Sequence, residues 1–183
     1  MLKLARGFTA GLPVSPALQQ VRIRLSERTN WCWAACFQML LELLEQSVRK
    51  QCEVAEPVLG VKNPACCHNV NACNFALDHM RVGKALGFFG LKSRFSPSPL
   101  SLNDLKNALP GGPIAIGLAR GALGHMLLAV DTSEQGGNTM IDILDPKFGV
   151  GSVTYAFLLS GHSLGSWKWT WDVIEAMGGN ENG

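Results

Sequence analysis

The spacing of hydrophobic residues first predicts a helix that carries a cysteine between two tryptophans. The stretch reads NWCWAACFQMLLELLEQ, residues 30–46. Its apolar residues recur three and four positions apart, the spacing of one helix face, at Ala35, Met39, Leu40, Leu43 and Leu44. Asn30 is of a residue type that caps helix N-termini. We therefore expect Cys32 in the first turn of a helix.

The rest of the front half is also mostly helical by pattern, after one short strand. VRIRLS, residues 21–26, alternates apolar and polar positions and predicts a strand. QCEVAEPVLG predicts a helix that Gly60 ends, and FALDHMRVGKALGFFG predicts another. After a proline-rich connection, SLNDLKNAL predicts a helix with Ser101 as its cap and Asp104 in its first turn.

Beyond Pro110 the pattern changes to short apolar runs that are typical of strands. Five strands are predicted, with the sequences GPIAIGLA, GHMLLAVDT, MIDILDP, SVTYAFLL and SWKWTWDV. EQGGN lies between the second and third of them and predicts a hairpin turn. The last strand carries Trp167, Trp169 and Trp171 at a period of two, so we expect all three indoles on one packed face.

This order of elements, helices and then an antiparallel sheet, predicts an α+β fold with two lobes and a cleft between them. We expect a helical lobe over about residues 30–109 and a sheet lobe over about residues 110–175. The 183 residues suit one domain, which we place at residues 21–177. Residues 1–20 contain several glycines and prolines and predict a loose N-terminal arm.

Composition narrows the class of protein. Hydrophobic residues make up 47% of the chain and charged residues 16%, which favours a packed core over disorder. The net charge of +2 argues against nucleic acid or an anionic membrane as partner. We find neither a run of roughly 20 apolar residues for a membrane span nor the unbroken apolar core of a secretory signal. We expect a cytosolic protein, a mature form without its signal, or a protein exported by another route.

Four of the six cysteines fall within 22 positions, at Cys52, Cys66, Cys67 and Cys73. Three interpretations compete: disulfides, a zinc site with His68 as an added ligand, or free thiols. The adjacent pair of cysteines does not match the usual two-plus-two spacing of zinc ligands. We therefore favour one or two disulfides, without assigning partners, and expect no metal and no other cofactor.

Cys32 combines two features of a reactive cysteine. A thiol at a helix N-terminus faces unpaired backbone N–H groups and the positive end of the helix dipole, and both favour the thiolate. The alternative is a buried core cysteine. For Cys36, one turn deeper on the same face, core packing is the better interpretation, and Trp31 and Trp33 are interpreted as wall and packing residues.

A nucleophilic cysteine needs a base, and the best placed of the four histidines is His125. It follows a glycine at the start of the strand GHMLLAV, where a side chain can project from a sheet edge. Asp145 closes the next strand, and the hairpin turn makes the two strands neighbours, so Asp145 can orient the imidazole. Asp142 and Asp131 are competitors for that role, and we interpret both as solvated.

The segments NWCWAAC, GHMLLAV and DILDP together resemble the catalytic segments of papain-like cysteine proteases. They are most similar to the compact bacterial branch that includes effector proteases delivered into plant cells. The resemblance covers roughly residues 20–175 and implies a papain-like two-lobe fold. It implies Cys32 as nucleophile, His125 as base and Asp145 as orienting residue.

One position departs from that family. The family usually places a glutamine six residues before the nucleophile, where its amide donates to the oxyanion, but this chain has Ser26 there. Ser26 is a tentative oxyanion donor with a shorter reach, and Glu27 beside it would repel an oxyanion. The backbone N–H of Cys32 remains as a donor, and losing one good donor costs about 10²–10³ in rate.

The sequence thus predicts a thiol peptidase that forms an acyl-enzyme on Cys32. The alternatives are an acyl-transfer catalyst on the same residues, such as a ligase, cyclase or deamidase, and a non-catalytic binding module on this scaffold. We expect a peptide or protein substrate, a monomer, and no nucleic acid or membrane partner. Secretion or delivery into a host or competitor cell is favoured over a cytoplasmic location.

Overall fold

The computed structural model describes residues 22–44, 48–61 and 65–176. The arm predicted at residues 1–20 lies outside these ranges. The described helices are α1 (Cys32–Leu43), α2 (Gln51–Leu59), α3 (Ala65–His68), α4 (Val82–Gly87) and α5 (Leu102–Ala108). Short helical turns lie at Val70–Cys73, His79–Arg81, Leu109–Gly111 and Phe157–Gly161. No helix in the described ranges has the length and hydropathy to cross a bilayer.

Six strands form one antiparallel sheet. They are β1 (Leu91–Ser96), β2 (Ile114–Arg120), β3 (Leu123–Gln135), β4 (Asn138–Asp145), β5 (Gly149–Thr154) and β6 (Ser166–Ala176), in the order β1-β6-β2-β3-β4-β5. Gly136 and Gly137 turn β3 into β4, both with positive φ, as the EQGGN pattern predicts. The predicted α+β class, with helices first and the sheet after them, is confirmed.

Hydrophobic side chains pack on both faces of the sheet. On one face, α1 buries Phe37 and Leu40 against sheet residues that include Leu128 and Trp171. On the other face, Leu105 of α5 packs with a second set that includes Ile116, Ile143, Leu158 and Trp167. Because α1 lies directly on the sheet, its N-terminus is held at a fixed place beside β3.

Two helix ends match the sequence and one does not. Gly60 ends α2 with φ 71°, and the Ser101 hydroxyl accepts a hydrogen bond from the Asp104 N–H at 3.1 Å. The predicted Asn30 cap is wrong: α1 begins after Trp31, and within the described residues no side chain caps it. The Asn30 side-chain amide instead donates to the backbone carbonyl of Asn74 at 2.9 Å.

Several predicted element bounds need correction. The part of VRIRLS in the described residues is not a strand; it runs beside α1, where Arg24 pairs with Glu42 at 2.5 Å. The strand β1 lies in the range predicted as the helical lobe, but it pairs with β6 and belongs to the sheet. The helix predicted from Phe75 shortens to α4, and the predicted strand SVTYAFLL divides into β5 and a helical turn.

A bulge in β6 separates its tryptophans. Gly117 pairs with Trp169, and Leu118 pairs with Trp167 instead of the residue next to Trp169. The extra residue turns Trp167 to the α5 face of the sheet, while Trp171 lies in the core under α1. The prediction of one shared face is therefore wrong, because a period of two describes only an unbroken strand. Burial is confirmed for Trp167 and Trp171, each 2% exposed.

Candidate active site

Cys32 lies at the floor of a cleft between the N-terminus of α1 and the sheet. The cleft has a volume of about 890 Å³ and is lined by residues that include Cys32, Trp33, His125, Met126 and Trp169. Cys32 is half-buried and free of any disulfide. It is the first residue of a helix whose leading N–H groups have no intrahelical acceptor. Its thiol therefore faces backbone donors and open space together.

Cys36, one turn further along α1, has different surroundings. It is 0% exposed, and its thiol donates to the backbone carbonyl of Met126 at 3.4 Å. Burial, with the nearby negative charges of Cys32 and Asp145, raises the pKa of the Cys36 thiol well above its usual value. The interpretation of Cys36 as a packing residue is confirmed.

His125 and Asp145 are in direct contact across the β3–β4 pair. The Nε2 atom of His125 lies 2.9 Å from Oδ1 of Asp145, with side chains 7% and 0% exposed. The same Oδ1 accepts backbone N–H bonds from Lys147 at 2.7 Å and from Phe148 at 3.2 Å. The turn after β4 thus supplies two backbone donors to Oδ1, because the chain folds back over the carboxylate.

The surroundings of His125 favour its protonated form. Burial lowers the pKa of His125, but hydrogen bonds to Asp145 and Cys32, and the charges of both, raise it to about 9. Burial raises the pKa of Asp145, and the bonds from His125 and His162 outweigh this and hold it well below the usual range. Because Asp145 occupies Nε2, Nδ1 is the nitrogen left for Cys32.

Asp145 has a second histidine partner that the sequence analysis did not select. Nε2 of His162 lies 3.1 Å from Oδ2 of Asp145, and both side chains are fully buried. The two histidine rings are nearly parallel, with centroids 6.0 Å apart. His162 stands in the stretch SGHSLG, residues 160–165, where the hydrophobic pattern gives no signal that it meets Asp145.

The cysteine-rich segment supports the residues on both sides of Cys32. Disulfides join Cys52 to Cys67 and Cys66 to Cys73, so the expectation of disulfides is confirmed and the zinc alternative loses its thiolate ligands. The backbone carbonyl of Cys73 accepts the indole N–H of Trp31 at 2.8 Å. The backbone carbonyl of Phe75, two residues after Cys73, accepts the indole N–H of Trp33 at 3.1 Å.

Ser26 is not among the described residues that line the cleft. Its backbone N–H donates to the backbone carbonyl of Pro146 at 2.8 Å. The interpretation of Asp142 as solvated is wrong: it is 1% exposed and accepts a bond from Ser152, because β5 covers that part of β4. Asp131 is half-buried.

His79 lines the cleft wall, stacked on Trp169 with ring centroids 4.3 Å apart.

Solved structures with similar folds include two peptidases and a chain from work on mite allergens. The peptidase domain of Streptococcus ComA, a bifunctional ABC transporter involved in quorum sensing, matches with a TM-score of 0.58 and 13% identity over 85% of this chain and 98% of that one. A double glycine motif protease from an AMS/PCAT transporter, solved with its leader peptide, matches with a TM-score of 0.52 and 16% identity over 84% and 86%. A chain from work on the mite allergens Blo t 1 and Der p 1 matches with a TM-score of 0.52 and 14% identity over 92% and 74%.

These likenesses are in fold, since the identities are low. A search of curated protein sequences found no match to the chain. The family model described as papain-like cysteine protease AvrRpt2 matches residues 15–156, which is well over half of the 183 residues. The matched range contains Cys32, His125 and Asp145. The chain therefore belongs to the AvrRpt2 family of papain-like cysteine proteases.

Proposed function

We propose that Cys32, His125 and Asp145 form the catalytic triad of this cysteine peptidase. The observation that carries the proposal is the position of one imidazole, which bonds Asp145 through Nε2 at 2.9 Å and has Cys32 as its other partner. His125 is thus placed to hold the proton that Cys32 gives up. Asp145 stabilises the imidazolium and fixes its orientation.

The reaction follows from this arrangement. The Cys32 sulfur attacks a peptide carbonyl carbon, and the carbonyl electrons move to oxygen. The C–N bond then breaks as His125 gives its proton to the leaving amine, leaving a thioester on Cys32. Water attacks the thioester while His125 takes a proton from it. The C–S bond breaks, and the second product leaves with a carboxylate end.

The oxyanion is stabilised by the N-terminus of α1. The backbone N–H of Cys32 belongs to the first helical turn, where such groups have no intrahelical acceptor. Donors aimed at a developing oxyanion contribute strongly in a site that excludes water. In this proposal Ser26 supplies the second donor once its hydroxyl turns toward the cleft.

Acyl transfer is the second candidate function. In the described part of the chain Ser26 is not a lining residue of the cleft, so one oxyanion donor of the usual pair is weak and attack on the thioester is slow for any acceptor. A bound amine that keeps water away from the thioester would then react in place of water. The triad serves both reactions, since only the acceptor differs.

We also propose a substrate class and a setting for the enzyme. The substrate is a peptide segment of a polypeptide, and the enzyme acts as a monomer without nucleic acid or membrane. The related double glycine motif protease was solved with a leader peptide, which supports an extended peptide in the cleft. Two disulfides are typical of proteins in oxidising surroundings. Together with the family match, they support export or delivery into another cell.

Product mass in heavy-oxygen water tests the proposal. A peptide mixture is incubated with the wild type, with Cys32→Ala and with Cys36→Ala as the matched control. Hydrolysis places one heavy oxygen in the new carboxyl end, whereas transfer to an added amine places none. We expect cleavage with label by the wild type and Cys36→Ala only. Equal cleavage by Cys32→Ala would contradict the proposal.

A further inference from the structure

We propose that His162 is a positioning residue that holds the second carboxylate oxygen of Asp145 and thereby keeps the first oxygen aligned with His125. The inference rests on the proposed triad and adds a fourth member to it. His162 lies beyond the residues 15–156 that the family model covers.

The two oxygens of Asp145 have separate partners. Oδ1 accepts from His125 at 2.9 Å and from the backbone N–H groups of Lys147 and Phe148. Oδ2 accepts from Nε2 of His162 at 3.1 Å. A carboxylate with 0% exposure has no water to replace a lost donor, and a buried acceptor without a partner is costly.

The backbone selects the tautomer of the neutral His162 ring. The N–H of Leu164 points to Nδ1 of His162 at 3.2 Å. Nδ1 must accept this bond, so in the neutral ring the proton is on Nε2. Nε2 is then a donor, and its acceptor is Asp145. The short turn from His162 to Leu164 therefore fixes which nitrogen faces the carboxylate.

The ring is also fixed in place by packing. Phe148 and Phe157 each approach the His162 ring, with centroids 5.6 Å apart in both pairs. The titratable groups that face this cluster are His125, Asp145 and, through the Phe148 ring, the Lys147 ammonium at 5.8 Å from the ring centroid. His162 is thus held in one position, with Nε2 directed at Asp145.

This arrangement restricts rotation of the carboxylate. With only the donors at Oδ1, rotation about the Cβ–Cγ bond could exchange the two oxygens and move the acceptor away from Nε2 of His125. A donor on Oδ2 removes that freedom. Outer partners that fix functional histidines are known to be worth about tenfold to hundredfold at metal sites, and we expect an effect of that size.

The test compares two side chains of similar length. His162→Gln keeps an N–H donor for Oδ2, and His162→Met removes it. Phe157→Leu alters the packing of the ring but leaves the hydrogen bond intact. The measurement is the rate of Cys32 alkylation by a small neutral electrophile, resolved by peptide mapping across pH, with the free energy of unfolding measured for each variant.

We expect His162→Met to slow Cys32 alkylation at acidic pH about tenfold to hundredfold and to move the acid limb of the pH profile to higher pH. His162→Gln should restore most of the rate, and Phe157→Leu should cost stability with little change in the pH profile. Equal profiles for the Met and Gln variants would overturn the proposal. So would an acid limb at lower pH with an unchanged limiting rate, because His162 would then only withdraw charge from Asp145.

Failure of the positioning role of His162 can be distinguished from failure of the triad itself. If Cys32 of the wild type reacts no faster than an ordinary thiol, and His125→Ala changes nothing, the triad fails and His162 has no role to play. If the rate of Cys32 alkylation depends on His125 but not on the donor at position 162, only the positioning role fails. If His162→Met does not fold, His162→Asn replaces it, because the asparagine amide is too short to reach Oδ2. Equal pH profiles for the Gln and Asn variants would then contradict the proposal.

Discussion

The indole nitrogen of Trp31 donates a hydrogen bond to the backbone carbonyl of Cys73, 2.8 Å away. Trp31 is the residue directly before Cys32, and Cys73 is disulfide-bonded to Cys66. The cysteine-rich segment, which looks independent of α1 in the sequence, is therefore hydrogen-bonded to the residue that precedes α1. The geometry around Cys32 depends on a disulfide elsewhere in the chain.

Removing that disulfide should loosen Cys32. For Cys66→Ala/Cys73→Ala we expect a loss of about 2–3 kcal/mol in the free energy of unfolding and slower Cys32 alkylation, because the acceptor of the Trp31 indole is released. Cys52→Ala/Cys67→Ala is the matched control. It removes the other disulfide and should cost stability with a smaller effect on Cys32. Equal effects of the two pairs on Cys32 would contradict the link through Cys73.

Asp145 should control the titration of His125. In Asp145→Asn the charge is gone, and burial then lowers the pKa of His125 with less opposition. We expect that pKa to fall from about 9 to the ordinary histidine value or below it, as followed by NMR titration of the imidazole. Asp142→Asn, a change in the other buried carboxylate of β4, should leave the pKa near its wild-type value.

Stability should depend on pH through the same pair. The pKa of His125 is raised from 6.5 to about 9 in the folded state, so its contribution is complete below about pH 6.5 and is lost as the pH rises through about 9. In a Cys32→Ser background, where His125 does not take its proton from the thiol, we expect the free energy of unfolding to fall by at most about 3 kcal/mol over that range. In His125→Gln most of this slope should disappear. An unchanged slope in that variant would show that another group titrates.

Asp145 acts at the other end of the pH scale. Because its pKa is lowered in the folded state, its contribution is present above the ordinary aspartate pKa near 4 and is lost as the pH falls below it. Acid unfolding of the wild type, compared with Asp145→Asn by circular dichroism, should therefore be the steeper of the two transitions. Parallel acid transitions would count against a paired carboxylate.

Gly117 should be required for the cleft wall. A Cβ at this position would lie 2.9 Å from ring atoms of both Trp169 and Trp171, so neither ring could keep its place. We expect Gly117→Ala to cost about 1–3 kcal/mol and to change tryptophan fluorescence. Gly124→Ala is the control, since its Cβ would come no closer than 4.0 Å to Leu118, and it should stay within about 0.5 kcal/mol of the wild type.

The local part of the fold could be predicted from sequence. Helix α1 follows from residues three and four apart, and the β3–β4 hairpin follows from two glycines between apolar strands. That hairpin brings Asp145 to His125, because strand pairing needs only a count of residues on each side of the turn. These features depend on neighbours in the chain.

Other features depend on partners distant in sequence and could not be predicted. The bulge that turns Trp167 away from Trp171 lies in the pairing of β6 with β2, a strand about 50 residues earlier in the chain. Asn30 looks like a cap, yet Asn74 competes for its amide. His162 meets Asp145 only because the segment after β5 coils into a helical turn instead of the predicted strand. Periodicity carries no information about such contacts.

The most direct test of the account is the alkylation rate of Cys32 at about pH 5.5, measured by peptide mapping in the wild type and in His125→Ala. An unperturbed thiol is only about 0.1% thiolate at that pH. The account predicts that Cys32 of the wild type reacts far faster than this, and that His125→Ala removes the excess. A Cys32 that reacts like an ordinary thiol in both proteins would contradict the proposed thiolate–imidazolium pair.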